Sequence, residues 1–163
     1  MDNIGFLFFP LAEQHIPLML KWLTDSRVLE FYEGRDVVFD ERLLREKFFV
    51  PEFGTHRYIA VYGETALGYL QCYPVEGRHY GMDLFIGEPD FWGRGIGRRM
   101  ISAFAAFMKE VHGAVSVEVD PHADNERAIR CYHACDFRTA AFLPEHELHE
   151  GRRCDCLLMR RML

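Results

Sequence analysis

The most informative stretch of this 163-residue chain is Trp92-Gly93-Arg94-Gly95-Ile96-Gly97. It follows an apolar run and leads into an apolar-periodic segment with no further glycine until Gly113. Because glycine weakens both helices and strands, three glycines at alternate positions indicate unusual backbone angles or the close approach of another group. A helix that begins here directs unpaired N–H groups and the positive end of its dipole at one point. The stretch therefore predicts a phosphate or pyrophosphate site, with added charge from Arg94, Arg98 and Arg99.

Two common phosphate motifs do not fit this stretch. A P-loop requires a Gly-Lys pair, and the chain has none. A dinucleotide fingerprint requires Gly-x-Gly-x-x-Gly early in a βαβ unit, whereas the spacing here is Gly-x-Gly-x-Gly and lies past the middle of the chain. A plain strand-to-helix turn remains the structural alternative.

Length and composition predict one domain over residues 1–163. At this length roughly 70% of the unfolded surface can be buried, and 49% of the residues are hydrophobic. The apolar runs are shorter than the ~20 residues of a membrane span, and the N-terminus lacks a basic signal region. We therefore expect a cytoplasmic protein with no membrane association. Five cysteines, an odd number, favour reduced thiols over a disulfide framework.

The formal net charge of −6 and the pI near 5.7 argue against nucleic-acid binding, which needs a basic face. An acidic surface suits a cationic ligand, although many proteins are acidic for solubility alone.

Hydrophobic periodicity predicts a mixed α+β chain. A β-hairpin turns at 63–65, and a central β–loop–α–β–α unit carries the glycine stretch. Predicted strands cover 4–9, 56–62, 66–73, 79–86, 115–119, 136–143 and 154–161. Predicted helices cover 12–24, 26–32, 40–49 (with Asp40 as N-cap), 95–111 and 124–134. The buried stripe expected on the fourth helix is Ile96, Met100, Ile101, Phe104, Phe107, Met108 and Val111.

Residues 82–137 resemble the Gcn5-related N-acetyltransferase (GNAT) superfamily. In that family, a loop of pattern Arg/Gln-x-x-Gly-x-Gly/Ala holds the pyrophosphate of acetyl-CoA, and Arg94-Gly95-Ile96-Gly97 supplies its core. Trp92 stands where the family has Arg or Gln, which removes one phosphate-facing side chain. The run 124–132 resembles the second motif, Asn-x-x-Ala-x-x-x-Tyr, and Asp136-Phe137 takes the place of its closing Gly-Phe.

Several segments, among them 82–92, 18–25, 120–122 and 143–151, are similar to aminoglycoside 6′-N-acetyltransferases, and most of all to the acetyltransferase half of the bifunctional enzymes. The resemblance runs along essentially the whole chain. It implies the GNAT fold, a central twisted, mostly antiparallel sheet flanked by helices. The relatives carry a longer, acid-rich connection where this chain has only 74–79. Because that connection borders the substrate groove, the resemblance bears more strongly on the chemistry than on the acceptor.

The resemblance implies acetyl-CoA as cosubstrate and a direct transfer to an amine. An alkyl ammonium with a pKa of ~10.4 loses its proton at pH 7 at a cost of ~4–5 kcal/mol, so a cleft carboxylate that holds it and relays the proton is needed. Asp83 is the candidate, against the alternative of an ordinary strand-edge Asp. Tyr132 is the candidate acid for the CoA thiolate, against a role as part of a core-facing stripe. The expected donor-binding residues are Phe85, Ile86, Arg94, Gly95, Ile96, Gly97, Arg98, Arg99 and Asn125, of which Asn125 otherwise belongs to a helix N-terminus.

Acidic side chains are expected to hold the remaining ammonium groups of a polycationic small molecule. The candidates, besides Asp83, are Asp120, Glu145, Glu147, Glu33 and Asp36. For the last four a solvated loop charge is the favoured alternative. No metal is predicted, because Cys131/Cys135 and Cys154/Cys156 lack the Cys-x-x-Cys spacing of a zinc hook and His146/His149 lack a second matched pair.

Two other functions remain open. One is a GNAT enzyme acting on a different amine, such as a protein N-terminus or a siderophore-type precursor, and the short 74–79 loop favours it. The other is a non-catalytic acyl-CoA-binding module, which would need neither Asp83 nor Tyr132. A Phe-rich stretch at Phe48, Phe49 and Phe53 suggests an exposed interface or lid, and with it a homodimer.

Overall fold

The computed structural model describes residues 5–163, and its strands form one seven-stranded sheet in the order β1-β2-β3-β4-β5-β7-β6. Neighbouring strands are antiparallel except β4 and β5, which run parallel. This architecture confirms the predicted α+β class and the mostly antiparallel sheet. The strands are β1 (Phe6–Pro10), β2 (His56–Tyr62), β3 (Thr65–Glu76), β4 (His79–Ile86), β5 (Ser116–Val119), β6 (Arg138–His149) and β7 (Arg152–Met162).

Five α-helices flank the described sheet. They are α1 (Ile16–Leu23), α2 (Ser26–Leu29), α3 (Glu41–Leu44), α4 (Ile96–His112) and α5 (Glu126–Ala134). The predicted helix 40–49 is α3 followed by a π-helical turn, and the Asp40 side chain accepts a 2.8 Å hydrogen bond from the Leu43 N–H, which confirms the predicted N-cap. The predicted helix 26–32 is shorter, because the chain turns after Leu29.

The last two strands were predicted too short. β6 and β7 form a long hairpin that turns at Glu150-Gly151, and much of β6 is exposed. Because both faces of this hairpin carry polar residues, alternation could not reveal its full length. At the other end of the chain, Ile4, the predicted first residue of β1, lies outside the described residues.

Two hydrophobic cores lie on opposite faces of the sheet. Side chains alternate along a strand, so Tyr58 and Leu70 pack toward α4 and α5, whereas Ile59 and Tyr69 pack toward α1, α2 and α3. The buried stripe of α4 is confirmed for Met100, Phe104 and their neighbours, but the prediction was wrong for Val111, which is 57% exposed near the helix end.

The Phe-rich stretch is not a single exposed surface. Phe48 lies on the π-helical turn and is buried against the rings of Phe39 and Tyr69, whereas Phe53 is fully exposed. The expected exposure was therefore wrong for Phe48, because the π-helical turn directs it into the core. The homodimer stays a prediction.

The parallel pair at the centre of the sheet separates early. β4 pairs with β5 from His79 to Gly81, opposite Ser116 to Glu118. Beyond Gly81, β4 continues to pair with β3 as far as Ile86. Within the described chain, the β5-facing edge of residues 83–86 therefore lies open, and an open strand edge offers backbone N–H and C=O groups to a ligand.

Candidate active site

A cleft of about 980 Å³ occupies the gap where β4 and β5 diverge. Two groups of predicted site residues line it. Those expected at the donor end are Phe85, Ile86, Gly95, Gly97, Arg98, Asn125 and Tyr132, and those expected at the acceptor end are Asp83, Asp120, Glu147 and Glu33. The structure thus brings both halves of the predicted site to one cavity.

The three glycines of the opening stretch serve different ends. Gly93 and Gly95 adopt left-handed backbone angles, with φ of 73° and 76°, which other residues rarely adopt. Gly97 is helical, but a Cβ there would lie 3.3 Å from Ile86 Cδ1 and 3.6 Å from Cys131 Sγ. Gly93 and Gly95 therefore allow the turn, and Gly97 leaves space between the start of α4, Ile86 and Cys131.

The N-terminus of α4 borders the cleft. Gly95 is the N-cap of α4, and the first turn of the helix contains no acidic residue. Instead it carries Arg98 and Arg99, and positive charge at a helix N-terminus is unfavourable by about 0.3–1 kcal/mol unless an anion compensates it. Arg98 lines the cleft. Arg99 turns away, with its guanidinium 4.7 Å from the centroid of the Tyr62 ring, and Arg94 is exposed and lies outside the cleft lining.

Trp92, the departure from the family pattern, has taken on other contacts. Its Nε1 donates a 3.1 Å hydrogen bond to the Ile86 carbonyl, and the Arg127 guanidinium stacks 4.3 Å from its ring centroid. Trp92, Arg127 and Arg130 all line the cleft. The cationic side chains at this end therefore come from Arg98 of α4 and from α5 rather than from the loop's first position. Sequence reasoning missed both arginines, because their helix is remote from the loop along the chain.

Helix α5 places the second predicted motif in the cleft. Asn125 is its N-cap and accepts a 3.2 Å hydrogen bond from the Ala128 N–H, so the capping alternative holds while the residue also lines the cavity. Tyr132 is 8% exposed and packs 5.4 Å from the Phe137 ring, and burial raises its pKa. After the helix, Asp136 adopts φ of 66°, the conformation of the glycine it replaces.

Asp83 is held by a hydrogen-bond chain that the sequence did not reveal. Gln71 lies opposite it on β3, and Gln71 Nε2 donates to Asp83 Oδ2 at 2.7 Å. The Tyr69 hydroxyl in turn donates to Gln71 Oε1 at 2.8 Å. Burial, opposed by the Gln71 bond and reinforced by the charges of Asp120, Glu147 and Glu33, raises the pKa of Asp83 to about 6. An Asp with this pKa is a better base near neutrality than an ordinary one.

The other acidic candidates separate into two groups. Asp120 follows β5 and contacts His146 Nε2 at 3.0 Å, while Glu147 contacts His122 Nε2 at 2.7 Å. Glu33 lines the cleft but forms an ion pair with Lys47. Glu145 and Asp36 are exposed and lie outside the cleft lining.

A family model described as an acetyltransferase (GNAT) domain matches residues 12–143. The chain belongs to the GNAT acetyltransferase family. This membership confirms the resemblance carried by the glycine loop and the α5 motif.

Proteins similar to this chain include acetyltransferases named for aminoglycosides and for spermidine. Aminoglycoside N(6′)-acetyltransferases type 1 of Klebsiella pneumoniae and Serratia marcescens are each 22% identical, over 78% of this chain and 71% of theirs. A structure of AAC(6′)-Ib with ribostamycin and coenzyme A superposes with a TM-score of 0.79 at 19% identity, covering 97% of this chain and 93% of that one. Spermidine N-acetyltransferase from Vibrio cholerae, in complex with CoA and spermine, gives 0.81 at 16% identity, with 97% and 95% coverage. At these sequence identities, the two superpositions show that the fold is shared.

The α-helices of this GNAT domain flank its sheet. Within residues 5–163, none is long and apolar enough to cross a membrane.

Proposed function

We propose that this protein transfers the acetyl group of acetyl-CoA to a primary amine of a polycationic small molecule, with the 6′-amine of aminoglycosides as the leading acceptor. The observation that carries the proposal is the position of Asp83. Its carboxylate lines the same cavity as the glycine loop, and the charges of Asp120, Glu147 and Glu33, which line that cavity too, act on it.

At the donor end, the α4 N-terminus and Arg98 would bind the pyrophosphate, with Arg127 and Arg130 adding charge. The open edge of β4 at Ile86 would bind the pantetheine arm and stabilise the oxyanion; the backbone groups of Phe85, the other predicted residue, point to Tyr69 on β3. The Ile86 carbonyl already accepts from Trp92, so Trp92 fixes the strand end against the loop.

At the reacting centre, Asp83 would hold the ammonium group and receive its proton, directly or through water. The amine nitrogen then attacks the thioester carbonyl carbon and forms a tetrahedral intermediate. Collapse of the intermediate breaks the C–S bond; the Tyr132 hydroxyl donates its proton to the departing sulfur, and the phenolate takes up, directly or through water, the second proton that the former amine nitrogen loses as the amide forms. Because burial raises the pKa of Tyr132, the phenol stays protonated throughout the neutral range.

At the acceptor end, Asp120, Glu147 and Glu33 would bind further ammonium groups. This acidic wall suits an aminoglycoside and also a linear polyamine, so both belong in the test. It does not favour a peptide N-terminus, which carries one ammonium group.

Thiol release from acetyl-CoA, measured over a panel of aminoglycosides, polyamines and N-terminal peptides, tests the proposal. We expect turnover with kanamycin-type 6′-amines. Turnover with polyamines or peptides alone would keep the chemistry and replace the acceptor. Binding of CoA with no turnover on any amine would refute the enzyme and favour an acyl-CoA-binding module.

A further inference from the structure

A second cluster of chemically reactive side chains lies at the acceptor end of the cleft. Ligand-capable atoms of His122, Glu147 and Cys156 all lie within 4.8 Å of one another. We propose that these three residues form a binding site for Zn²⁺, open to the cleft. The proposal reverses the expectation from sequence, which considered only cysteine and histidine pairs that are close along the chain.

Backbone hydrogen bonds fix two of the three ligands before any ion arrives. His122 forms an isolated antiparallel bridge with Cys156. On either side of it, the Ala123 N–H donates to the Asp155 carbonyl at 2.8 Å and the Leu157 N–H donates to the Pro121 carbonyl at 2.9 Å. The imidazole and the thiol are therefore neighbours by construction, and little conformational entropy remains to be lost on binding.

The third ligand is supplied by a bulge in β6. Leu143 pairs with Cys156 and Glu147 with Cys154, so three residues of β6 lie between these pairs where β7 has one. Glu145, within the bulge, has a positive φ of 47°. Bulges re-aim side chains, and here Glu147 approaches His122 Nε2 at 2.7 Å. Zinc bonds of about 2.0–2.3 Å require a somewhat longer ligand–ligand separation, which the half-exposed Glu147 side chain can provide.

The chemistry of the three groups suits zinc. Imidazole nitrogen, carboxylate oxygen and thiolate sulfur are its ordinary ligands, and three protein ligands with one open position are typical of a reactive rather than a structural site. Cys156 is fully buried, and its thiol makes no hydrogen bond in the described part of the chain. Zinc would displace the thiol proton and use a sulfur atom that otherwise has no polar partner.

The proposed zinc site is open to the cleft. His122 and Glu147 line the cleft, so the fourth zinc position faces the space where an amine would enter. Zinc would also occupy the Glu147 carboxylate that is proposed to bind ammonium. The expected consequence, which rests on the proposed function, is zinc inhibition that is competitive with the amine and not with acetyl-CoA.

Cobalt substitution tests the site without any enzymatic activity. Titration of the reduced, untagged protein with Co²⁺ should produce a sulfur-to-cobalt charge-transfer band, which Zn²⁺ then abolishes. Cys156→Ser should remove the band, and Cys154→Ser, two residues away on the same strand, should keep it. Glu147→Gln, at a half-exposed position that tolerates change, should weaken Co²⁺ binding by at least about tenfold. A missing band, a band that survives in Cys156→Ser, or a band lost in Cys154→Ser would overturn the proposal.

Kinetics separates this proposal from the proposed function. At saturating acetyl-CoA, Zn²⁺ should raise the apparent KM for the amine in the wild type and in Cys154→Ser, but not in Cys156→Ser. Inhibition that is competitive with acetyl-CoA would contradict the assigned position. A thiolate band in a protein that turns over no amine would refute the proposed function and leave the zinc site standing; turnover without the band would do the reverse.

Discussion

Asp83 occupies an unfavourable position for an ionised carboxylate. It is partly buried, lies in the field of three other acidic residues and has one oxygen committed to Gln71. Its free oxygen is the part of the side chain available to an ammonium group, whose positive charge would relieve the unfavourable field. The surroundings of Asp83 therefore disfavour its ionised form in the empty protein and favour that form when a cation is bound.

Asp83→Asn should lower kcat/KM about 10²-fold or more, because the amide cannot accept the proton of the amine. In the wild type, kcat/KM should rise with pH through about 6, the pKa of Asp83, as the carboxylate ionises in the field of Asp120, Glu147 and Glu33. The variant should lack this inflection. Steady-state kinetics between pH 5 and 8 measures both, with Glu64→Gln at an exposed hairpin tip as the control. Full activity of Asp83→Asn at every pH would remove Asp83 from the mechanism.

Tyr132→Phe should lower kcat about 10²-fold while the KM for acetyl-CoA changes little. The ring would keep its packing against Phe137, and only the hydroxyl would be lost. Pre-steady-state and steady-state thiol release measure the effect, and a thermal melt close to that of the wild type shows that packing is intact. An unchanged kcat would leave Tyr132 as a core residue only.

At the scale of the element, the loop and the start of α4 are proposed to form one anion-binding site. The backbone supplies N–H groups, the first turn lacks acid, and Arg98 adds charge that the helix alone would disfavour. A helix that breaks the usual charge preference at its N-terminus is expected at a functional site. We expect Gly97 to let a ligand approach the start of α4, since its helical backbone angles do not themselves require glycine.

Gly97→Ala separates binding from folding. Alanine is favoured over glycine within a helix by up to about 1 kcal/mol, and the new Cβ would meet only the flexible end of Ile86 and the Cys131 sulfur. The melting temperature should therefore stay the same or rise, while the Kd for acetyl-CoA rises about tenfold, equal to about 1.4 kcal/mol. Calorimetry and a thermal melt measure the two effects.

Gly113→Ala is the matched control for Gly97→Ala. Gly113 ends α4 with φ of 65°, so alanine there should lower stability by about 1 kcal/mol and leave the Kd unchanged. Unchanged acetyl-CoA affinity in Gly97→Ala would contradict the assigned role of the loop.

At the scale of the whole molecule, the sequence predicted the elements that nearby residues define and missed the contacts between residues far apart in the chain. β4, α4 and α5 were predicted because periodicity and the glycine and Asn motifs define them within a few residues. Gln71 was missed because its partnership with Asp83 depends on the β3–β4 register. The contact of His122 with Glu147 was missed because it depends on a bulge in a polar hairpin. The exposed positions of Glu145 and Asp36 agree with the solvated charge that the sequence analysis favoured for both.

The buried charge at the cleft also bears on the stability of the whole fold. The pKa of Asp83 is about 6 in the folded state against an ordinary value of 3.8. Between these values the folded protein binds more protons than the unfolded chain, so ionisation of Asp83 lowers stability as the pH rises through this range. Asp83→Asn should therefore raise the free energy of unfolding at pH 7 by about 1–3 kcal/mol. Urea denaturation at pH 4 and pH 7 measures the gain, which should shrink at the lower pH; a variant less stable than the wild type at pH 7 would contradict the buried-charge account.

The transfer of a labelled acetyl group from acetyl-CoA to kanamycin tests the proposed reaction and the role of Asp83 together. Wild-type protein and Asp83→Asn are incubated with acetyl-CoA labelled in the acetyl group and with kanamycin, and the product is analysed by NMR. The account predicts labelled acetyl on the 6′-nitrogen with the wild type and a greatly reduced amount with Asp83→Asn. Label on a different nitrogen, or equal product from both proteins, would contradict it.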